Sequence, residues 1–498
     1  MKKLSGIFLA IVLTLSCFVI GAGCGDGGYQ GYIDSEGVAH VVFMGRDEDN
    51  EKLNYKRIVD KFNASQNSIK VRLEWFTDAS GYNVMLDGLG KNLPDCLMLS
   101  NAMFLRYVSA GKLYDFKSRM IEDELSSLYT EGYSAYCYDP ATGKLGISDT
   151  AGMYGLPKDM GPYALCYNVN MLTDCVEAYN KANTDKIDLE RVTSTTNPMT
   201  FSEFITLGKK LKPILNTLKN SDGNVKYKDS FVCSAYDLQS AVYSNNANFF
   251  TDDNAEELAI DSDNFAGAVS FIQQLYKEEI LPSAGKSSTG AETLFTSGRA
   301  MFFYTGPWKM KTFWESVEGF EWDIIPVLCG DAEGSVSTSY VGGMGLCVSA
   351  NSAVKNQALT FLKYVALDVG AQRDLYGNGQ CIPNLTELAE EFSTNSQNLL
   401  KKPQPLHRGV WIDCVNGTSE TDKVGGKYRA EAYTYSETWF TDLSEFMSGN
   451  TGEVSSFWKA DNSGKWTDVA AALKAKKPEF QRQFESVRNQ YVNKSSGK

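Results

Sequence analysis

Between residues 38 and 99, apolar and polar positions follow a pattern that predicts strands and helices in turn. Residues 38–44 form a nearly continuous apolar run, which is typical of a buried strand. Residues 51–63 carry apolar side chains at helical spacing, and residues 69–75 alternate strictly between apolar and charged. A further short apolar run covers residues 93–99. This order of strand, helix, strand, helix and strand predicts a parallel sheet with right-handed crossovers.

The same alternation continues through the rest of the chain. Helical periodicity occurs at residues 201–218, 266–279 and 356–366, and again near the C-terminus. A chain of 498 residues exceeds what a single hydrophobic core supports. We therefore expect two α/β lobes joined by several crossings of the chain. Because ligands of open α/β sheets bind at the carboxyl ends of strands, the cleft between the lobes is the expected site.

The N-terminus has a different pattern, that of an export signal. Two lysines precede the apolar run Ile7–Ile20, which is too short for an ordinary membrane-spanning helix. Small residues at 21–23 lie directly before Cys24. The segment resembles a bacterial lipoprotein signal, which implies that residues 1–23 are removed and that Cys24 carries lipid. Gly21 departs from the usual pattern, which has a large aliphatic residue there, and an ordinary secretory signal is the alternative.

The segment after the signal predicts how the protein is held at the cell surface. Residues 24–37 are rich in glycine and nearly free of aliphatic side chains, which predicts a flexible tether after the lipidated cysteine. No second apolar run approaches spanning length. We expect a protein at the outer face of the bacterial cytoplasmic membrane that contacts the membrane through its lipid anchor only.

Charge and rare residues exclude several classes of function. Loss of the signal would move the net charge from −13 to −15, which disfavours nucleic acid and anionic lipid as partners. The two histidines, His40 and His407, have no partners at metal-binding spacing, so a zinc site or a serine–histidine triad is not expected, and neither is any cofactor. Nine cysteines remain after Cys24, mostly in apolar strings, and we expect them to be buried thiols. A glycosidase that uses two carboxylates stays open.

Ordered short blocks along the chain carry a family resemblance. The most distinctive is FTSGRAMFFYTGPW at residues 295–308. The other blocks lie at residues 62–71, 94–113, 154–168, 198–204, 341–343 and 381–383. Together they resemble the extracellular solute-binding proteins of carbohydrate ABC importers, the maltose-binding-protein-like family. The resemblance covers nearly the whole chain after the signal.

The resemblance implies a two-lobed periplasmic-binding-protein-like fold of type II, in the α/β class, with a ligand cleft between lobes joined by a multi-strand hinge. The implied chain crossings lie near Leu156, Ile325 and Cys381. The N-terminal lobe would comprise residues 38–155 and 327–380, and the C-terminal lobe residues 156–326 and 381–498. Three crossings behave as a hinge, so closure on the ligand is the expected motion.

Aromatic side chains are the first candidates for a sugar site, because their faces cover the C–H patches of a pyranose. Trp308 follows an apolar strand and the turn Gly306-Pro307, and it matches the family's stacking tryptophan. Tyr435 and Trp439 fall at the family's other aromatic position, where we expect at least one to face the cleft. Tyr243 corresponds to a third aromatic contributor. Core packing is the alternative for each.

Polar candidates follow predicted strand ends, where carboxylates, amides and guanidinium groups could bind hydroxyls. They are Arg46, Asp47, Ser100, Asn101, Asp159, Tyr163, Tyr340 and Gly343. For the side chains, a solvated loop is the alternative, and for the glycine it is structural tightness. The acidic run at residues 47–51 lacks the glycine and glutamate of a calcium loop, so no metal is expected there, and a solvated helix N-terminus explains it better.

These observations predict a monomeric, lipid-anchored solute-binding protein that delivers a carbohydrate, expected to be an oligosaccharide, to ABC transporter permease subunits and performs no chemistry. One alternative is the same fold binding a peptide or a polyamine. A cell-surface glycosidase is another, and a glycan-tethering protein without a transporter is a third.

Overall fold

The computed structural model describes residues 28–47, 49–251, 255–282, 289–416, 424–427, 437–449 and 456–492. Cys24 and Tyr435 therefore lie outside the described residues. The strands are β1 (Tyr32–Ile33), β2 (Ala39–Arg46), β3 (Ile69–Phe76), β4 (Cys96–Ser100), β5 (Cys137–Asp139), β6 (Lys144–Leu145), β7 (Gly152–Met153), β8 (Gly155–Pro157), β9 (Gly161–Pro162), β10 (Ala164–Asn168), β11 (Phe231–Cys233), β12 (Ala300–Thr305), β13 (Trp322–Ile325), β14 (Ser337–Gly342), β15 (Met344–Val348) and β16 (Val424–Lys427).

Helices connect and cover these strands. They are α1 (Asp49–Ser65), α2 (Ala79–Leu89), α3 (Asn101–Ser109), α4 (Glu122–Ser126), α5 (Thr130–Ser134), α6 (Val169–Ala182), α7 (Leu189–Val192), α8 (Phe201–Leu215), α9 (Leu238–Ser244), α10 (Asp263–Lys277), α11 (Ala291–Thr296), α12 (Met310–Ser316), α13 (Lys355–Leu367), α14 (Val369–Gly377), α15 (Ala389–Thr394), α16 (Gly409–Asn416), α17 (Glu437–Ser448) and α18 (Val469–Val492). Short 3₁₀ helices occur at Lys117–Arg119, Pro307–Lys309 and Thr386–Leu388.

The first sheet has the order β1-β2-β4-β15-β8, with β3 on the other edge of β2. Strand β2 pairs in parallel with β3 and with β4, which confirms the predicted parallel arrangement. Strand β4 begins at Cys96 rather than at Leu93, because Pro94 has no N–H for a ladder and the Asp95 carboxylate accepts a hydrogen bond from Val42 N at 2.8 Å.

The second sheet has the order β11-β12-β10-β13 and is formed by strands later in the chain. A third, small sheet of order β16-β14-β9 lies next to the point where the chain leaves the first sheet, and β14 pairs with β9 through Val341 with Pro162 and Gly342 with Gly161. The strands thus divide into two groups, as expected for two lobes. The lobe boundaries themselves stay a prediction.

Helices cover the sheets with apolar faces, as the sequence pattern indicates. On the first sheet, Phe43 of β2 and Phe62 of α1 both contact Phe361 of α13, with ring centroids 5.4 and 5.2 Å apart. On the second sheet, Phe302 contacts Phe204 of α8 at 5.3 Å. All nine cysteines of the described part are buried and unpaired, as predicted.

A capping box defines the start of α8. Thr200 Oγ1 accepts a hydrogen bond from Glu203 N at 3.2 Å, and Glu203 Oε2 accepts one from Thr200 N at 2.7 Å.

Among the described residues, no helix is both long and apolar enough to cross a membrane.

Candidate functional site

A cavity of about 330 Å³ lies where strands of the two large sheets end. It is lined by Arg46, Asp47, Glu51, Ser100, Lys158, Asp159, Gly161, Tyr163, Trp308, Lys311, Thr312, Gly342, Gly343, Met344 and Gln380. Strands β2 and β4 of the first sheet end at Arg46 and Ser100, and β12 of the second sheet ends three residues before Trp308. The cavity is therefore located at strand ends, where α/β sheets bind their ligands.

Tyr163 and Trp308 give part of the cavity lining an aromatic character, and Tyr304 is buried behind Tyr163; we call these three residues the aromatic wall. The rings of Tyr163 and Tyr304 stack with centroids 4.5 Å apart and an interplanar angle of 12°. The Tyr163 and Trp308 rings meet edge to face at 4.9 Å and 84°. Because each ring is held by the next, Trp308 has a defined orientation while its side chain stays half-buried.

Two glycines make room for the Trp308 indole. A Cβ atom at Gly306 would lie 2.0 Å from Trp308 Cζ3, and one at Gly161 would lie 3.0 Å from the same atom. Gly306 has a φ of −126°, which any residue adopts, so its need for glycine is steric. The indole thus lies directly against the backbone of β9 and of the turn after β12.

Another part of the lining is ionic, and we call Asp47, Glu51, Lys158 and Asp159 the charged wall. Lys158 Nζ lies 2.8 Å from Asp159 Oδ2 and 3.7 Å from Asp47 Oδ2, and it forms an ion pair with Glu51. The side chains of Lys158 and Glu51 are 4% and 7% exposed. Such burial demands mutual pairing, because an isolated charge loses its hydration there.

The groups of the charged wall shift one another's pKa values. Burial alone would lower the pKa of Lys158, but the carboxylates of Asp159, Glu51 and Asp47 more than offset this and hold its pKa well above the ordinary value. Lys158 is therefore a permanent cation. Burial raises the pKa of Glu51 well above its ordinary value, and the Lys158 ammonium opposes that rise only in part.

Backbone hydrogen bonds hold the chain at Lys158 against β15. Lys158 N donates to Met344 O at 2.7 Å, and Asn384 Nδ2 donates to Pro157 O at 2.8 Å.

Asp47 has a φ of 145°, which is rare for a residue with a side chain and costs about 1–3 kcal/mol. Backbone strain of this kind is found mainly at functional sites, where it holds a side chain in a particular direction. Asp47 lines the cavity, which fits such a role.

Seven of the predicted site residues line this one cavity. They are Arg46, Asp47, Ser100, Asp159, Tyr163, Trp308 and Gly343. Their strand-end positions brought them together as the sequence argument expected. Their contact with a ligand stays a prediction.

Other predicted site residues lie elsewhere in the protein. Asn101 is buried under the cavity and accepts a hydrogen bond from the Tyr136 hydroxyl at 2.9 Å. Tyr340 is buried behind Tyr163, with ring centroids 6.3 Å apart. Tyr243 is 2% exposed, and its ring centroid lies 5.8 Å from that of Phe249, so it is a residue of the hydrophobic core.

Trp439 is also a core residue and does not face the cavity. It is 1% exposed and contacts the rings of Phe250 and Phe484 at 5.7 and 5.8 Å. The buried residues Leu443 and Phe446 follow on the same face of α17 at helical spacing. That apolar stripe was visible in the sequence and indicated a core face. Tyr435, the other candidate at this position, lies outside the described residues, so the expectation that at least one of the two faces the cleft stays a prediction.

Sequence reasoning missed several residues of the cavity. They are Glu51, Lys158, Gly161, Lys311, Thr312, Met344 and Gln380. Lys158 directly precedes the predicted Asp159 at the end of β8, so its position was a usable signal. The solvated helix N-terminus expected for residues 47–51 is wrong for Glu51, which is buried because Lys158 pairs with it. The described residues contain no cluster of His, Cys, Asp and Glu that could hold a metal ion.

Comparison with known proteins places this geometry in a family. Residues 57–402 match the family model described as bacterial extracellular solute-binding protein. The chain belongs to this family, which confirms the resemblance drawn from its short blocks. No curated protein sequence matches the chain.

Solved structures of low sequence identity share the fold. An ABC substrate-binding protein from Listeria monocytogenes, solved with cycloalternan, has a TM-score of 0.64 at 16% identity, covering 90% of this chain and 99% of that one. A cyclic α-maltosyl-1,6-maltose binding protein from Arthrobacter globiformis has 0.63 at 16%, covering 90% and 100%. The maltose/maltodextrin-binding domain from Bdellovibrio bacteriovorus, bound to maltotriose, has 0.61 at 12%, covering 90% and 100%. The predicted two-lobed α/β fold is confirmed.

Proposed function

We propose that this protein captures a carbohydrate, an oligosaccharide, and delivers it to the permease subunits of an ABC transporter. The observation that carries the proposal is the pairing of an aromatic wall with a charged wall in one cavity. Trp308 and Tyr163 offer ring surface for the C–H patches of a pyranose, and Asp47, Asp159 and Arg46 offer acceptors and donors for its hydroxyls. The saccharides named with the similar structures support the same ligand class.

Binding would be coupled to closure of the lobes. The boundaries we propose are residues 38–155 with 327–380 for one lobe and 156–326 with 381–498 for the other. The crossings near Leu156, Ile325 and Cys381 would then act as the hinge, and the closed form would be what the permease recognises. Small-angle scattering of the purified protein should show a smaller radius of gyration with the bound glycan than without it. A glycan that binds tightly and leaves the shape unchanged would contradict a transport role.

A thermal-shift screen against a glycan panel is the experiment that tests the ligand class. We expect one or a few oligosaccharides to raise the melting temperature, because a ligand that binds only the folded state stabilises it. A panel of peptides and polyamines serves as the comparison. Stabilisation by a peptide or polyamine, with no response to any glycan, would overturn the proposal in favour of a non-sugar solute.

The carboxylates of the charged wall raise the question of glycoside hydrolysis. Asp47 and Asp159 both lie near the same ammonium, at 3.7 and 2.8 Å from Lys158 Nζ. A glycosidase of this kind places its two carboxyl groups on either side of the scissile bond, one as proton donor and one as nucleophile or base, whereas both of these carboxylates lie against one ammonium. We therefore propose a binding role without chemistry. Incubation of the protein with a stabilising glycan should leave that glycan intact by mass spectrometry, and released sugars would favour the enzyme.

We also propose that the protein is a monomer held at the outer face of the cytoplasmic membrane by lipid on Cys24. Residues 24–37 were predicted as its tether, but Tyr32 and Ile33 form β1 and pair with β2, so the tether that we propose lies before β1. Cys24→Ser should move the protein from the membrane fraction to the medium or to an unprocessed pool. Unchanged fractionation and mass for this variant would overturn the anchor.

A further inference from the structure

Gln380 is a cavity residue whose backbone is held in place on two sides. Its N–H donates to Leu375 O at 3.1 Å, near the end of α14, and the carbonyl of Gly379 accepts a hydrogen bond from Lys311 N at 3.3 Å. Gly379 has a φ of 75°, and a Cβ atom there would lie 2.7 Å from Trp314 Cζ3, so only glycine fits at this close approach. The chain therefore enters the cavity lining at a defined position.

The side-chain amide of Gln380 is oriented by a hydrogen-bonded chain of three residues. Arg57 can only donate, and its Nη1 atom lies 3.4 Å from Asn54 Oδ1. Because the amide oxygen of Asn54 is turned toward Arg57, its Nδ2 group donates to Gln380 Oε1, at 3.0 Å. Asn54 is 2% exposed and is not among the residues that line the cavity. The guanidinium group thus determines, through Asn54, which end of the Gln380 amide is left over.

The end that is left over is a donor. Gln380 Nε2 makes no hydrogen bond with any residue that the structure describes. Within the same part of the chain, it is also not one of the polar atoms that are both sealed from solvent and without a partner. The 6% of Gln380 that stays exposed therefore includes its NH2 group, which carries two donors and no acceptor. At this point the cavity presents a reachable donor that lacks an acceptor.

We propose that Gln380 is a specificity-determining residue, whose Nε2 group donates a hydrogen bond to an oxygen atom of the bound sugar and whose orientation is set by Asn54. The inference rests on the proposed function and adds a residue to its site. A donor left unpaired when the ligand excludes water costs free energy, so a ligand without an acceptor at this point is disfavoured. A protonated polyamine carries only N–H donors and cannot supply that acceptor.

Calorimetry with neutral trisaccharides tests the donor. The probes are maltotriose, cellotriose, mannotriose and xylotriose, and the affinity of each one that binds is measured for the wild type and for Gln380→Met. We expect Gln380→Met to bind about fivefold more weakly or worse, because the sugar oxygen loses its donor. Gln490→Met, at an exposed position on α18, is the matched control and should bind as the wild type does. Equally tight binding by folded Gln380→Met would overturn this inference alone, whereas absence of binding by all four trimers would count against the proposed function as well.

Asn54→Asp tests the orientation from outside the cavity. The new carboxylate has no donor, so Gln380 must turn its NH2 group toward residue 54 and present Oε1 to the ligand. We expect the affinity to fall about threefold or more, although residue 54 does not line the cavity. Asn356→Asp adds the same charge at an exposed position on α13 and should leave the affinity unchanged. Melting curves without ligand identify any variant that fails to fold. Unchanged affinity in folded Asn54→Asp would overturn the orientation that we assign to the Gln380 amide.

Discussion

The two walls of the cavity are held in place by different forces. The aromatic wall consists of rings stacked on each other and against glycine backbone, with Tyr163 and Tyr304 4.5 Å apart. The charged wall consists of Lys158 and the carboxylates around it, with Lys158 only 4% exposed. Removing one ring leaves the others packed, whereas removing one charge leaves its partners buried and unpaired. Loss of binding can therefore be separated from loss of folding on the aromatic wall, and much less so on the charged wall.

The largest effect is expected from Lys158→Met. Removing the ammonium leaves Asp159 without its counter-charge and Glu51 without its polar partner in a buried place, and breaking such a buried pair costs about 3–5 kcal/mol of unfolding free energy. Urea denaturation measures the change. The second variant Glu51→Gln/Lys158→Met should regain part of the loss, because it replaces a buried carboxyl group that has lost its partner with an amide that carries no charge. Unchanged stability in the single variant would show that the charged wall does not hold itself together as described.

Trp308→Ala should affect binding and leave folding intact. The indole lines the cavity and is half-buried, so its loss should weaken glycan binding by about 1–3 kcal/mol, or about fivefold to 150-fold. Calorimetry gives the affinity, and melting without ligand gives the stability. A large fall in melting temperature, with unaltered binding by the folded fraction, would make Trp308 a core residue.

Trp439→Ala is the matched control for that measurement. Its side chain is 1% exposed, so truncation should cost about 3–5 kcal/mol of stability. The pair of variants contrasts a tryptophan at the cavity with a tryptophan in the core. Equal losses of stability in Trp308→Ala and Trp439→Ala would show that Trp308, like Trp439, is a core residue.

Gly306→Ala tests the support beneath the indole with a single methyl group. The added Cβ would lie 2.0 Å from Trp308 Cζ3, so the ring must move, while the backbone φ of −126° suits alanine. We expect about 1 kcal/mol of lost affinity, roughly fivefold. Gly290→Ala is the control, because nothing lies within 4 Å of its added Cβ. Affinity that is unchanged in Gly306→Ala would show that the indole's position does not matter for binding.

The sequence predicted the elements better than it predicted the site. Residues 38–44 and 51–63 were expected as strand and helix, and the structure has them at 39–46 and 49–65, because apolar period is a local property of the chain. Trp308 and Trp439 were both aromatic candidates, with Trp308 the stronger. The apolar stripe of Trp439, Leu443 and Phe446 indicated a core face, but the partners of each ring, which come from distant parts of the chain, decide whether the ring lies at the cavity or in the core.

The charged wall shows the same limit more clearly. Glu51 is an ordinary acidic residue near a helix start in the sequence, and acids at that end are usually solvated. Its burial depends on Lys158, which the fold brings from the end of β8. No local pattern encodes a pairing over that separation, although a charged residue directly after a buried strand, as Lys158 is, can be treated as a site candidate.

The smallest expected effect concerns pH and Glu51. Burial raises the pKa of Glu51 above its unfolded value, so the folded state retains this proton at a pH where the unfolded chain releases it. The resulting contribution to stability is fully present below the unfolded pKa and is lost as pH rises toward the folded pKa. The wild type should therefore lose stability relative to Glu51→Gln as pH is raised from about 5 to 8, in the range above the ordinary carboxyl pKa. Urea denaturation of both proteins across this range measures the difference.

Lys158 titrates above this window, since its pKa is raised above that of an ordinary lysine, and it contributes equally to stability at both ends of the pH range. A difference in stability that is constant with pH, or that grows in favour of the wild type, would mean that Glu51 stays ionised and that the Lys158 ammonium outweighs burial.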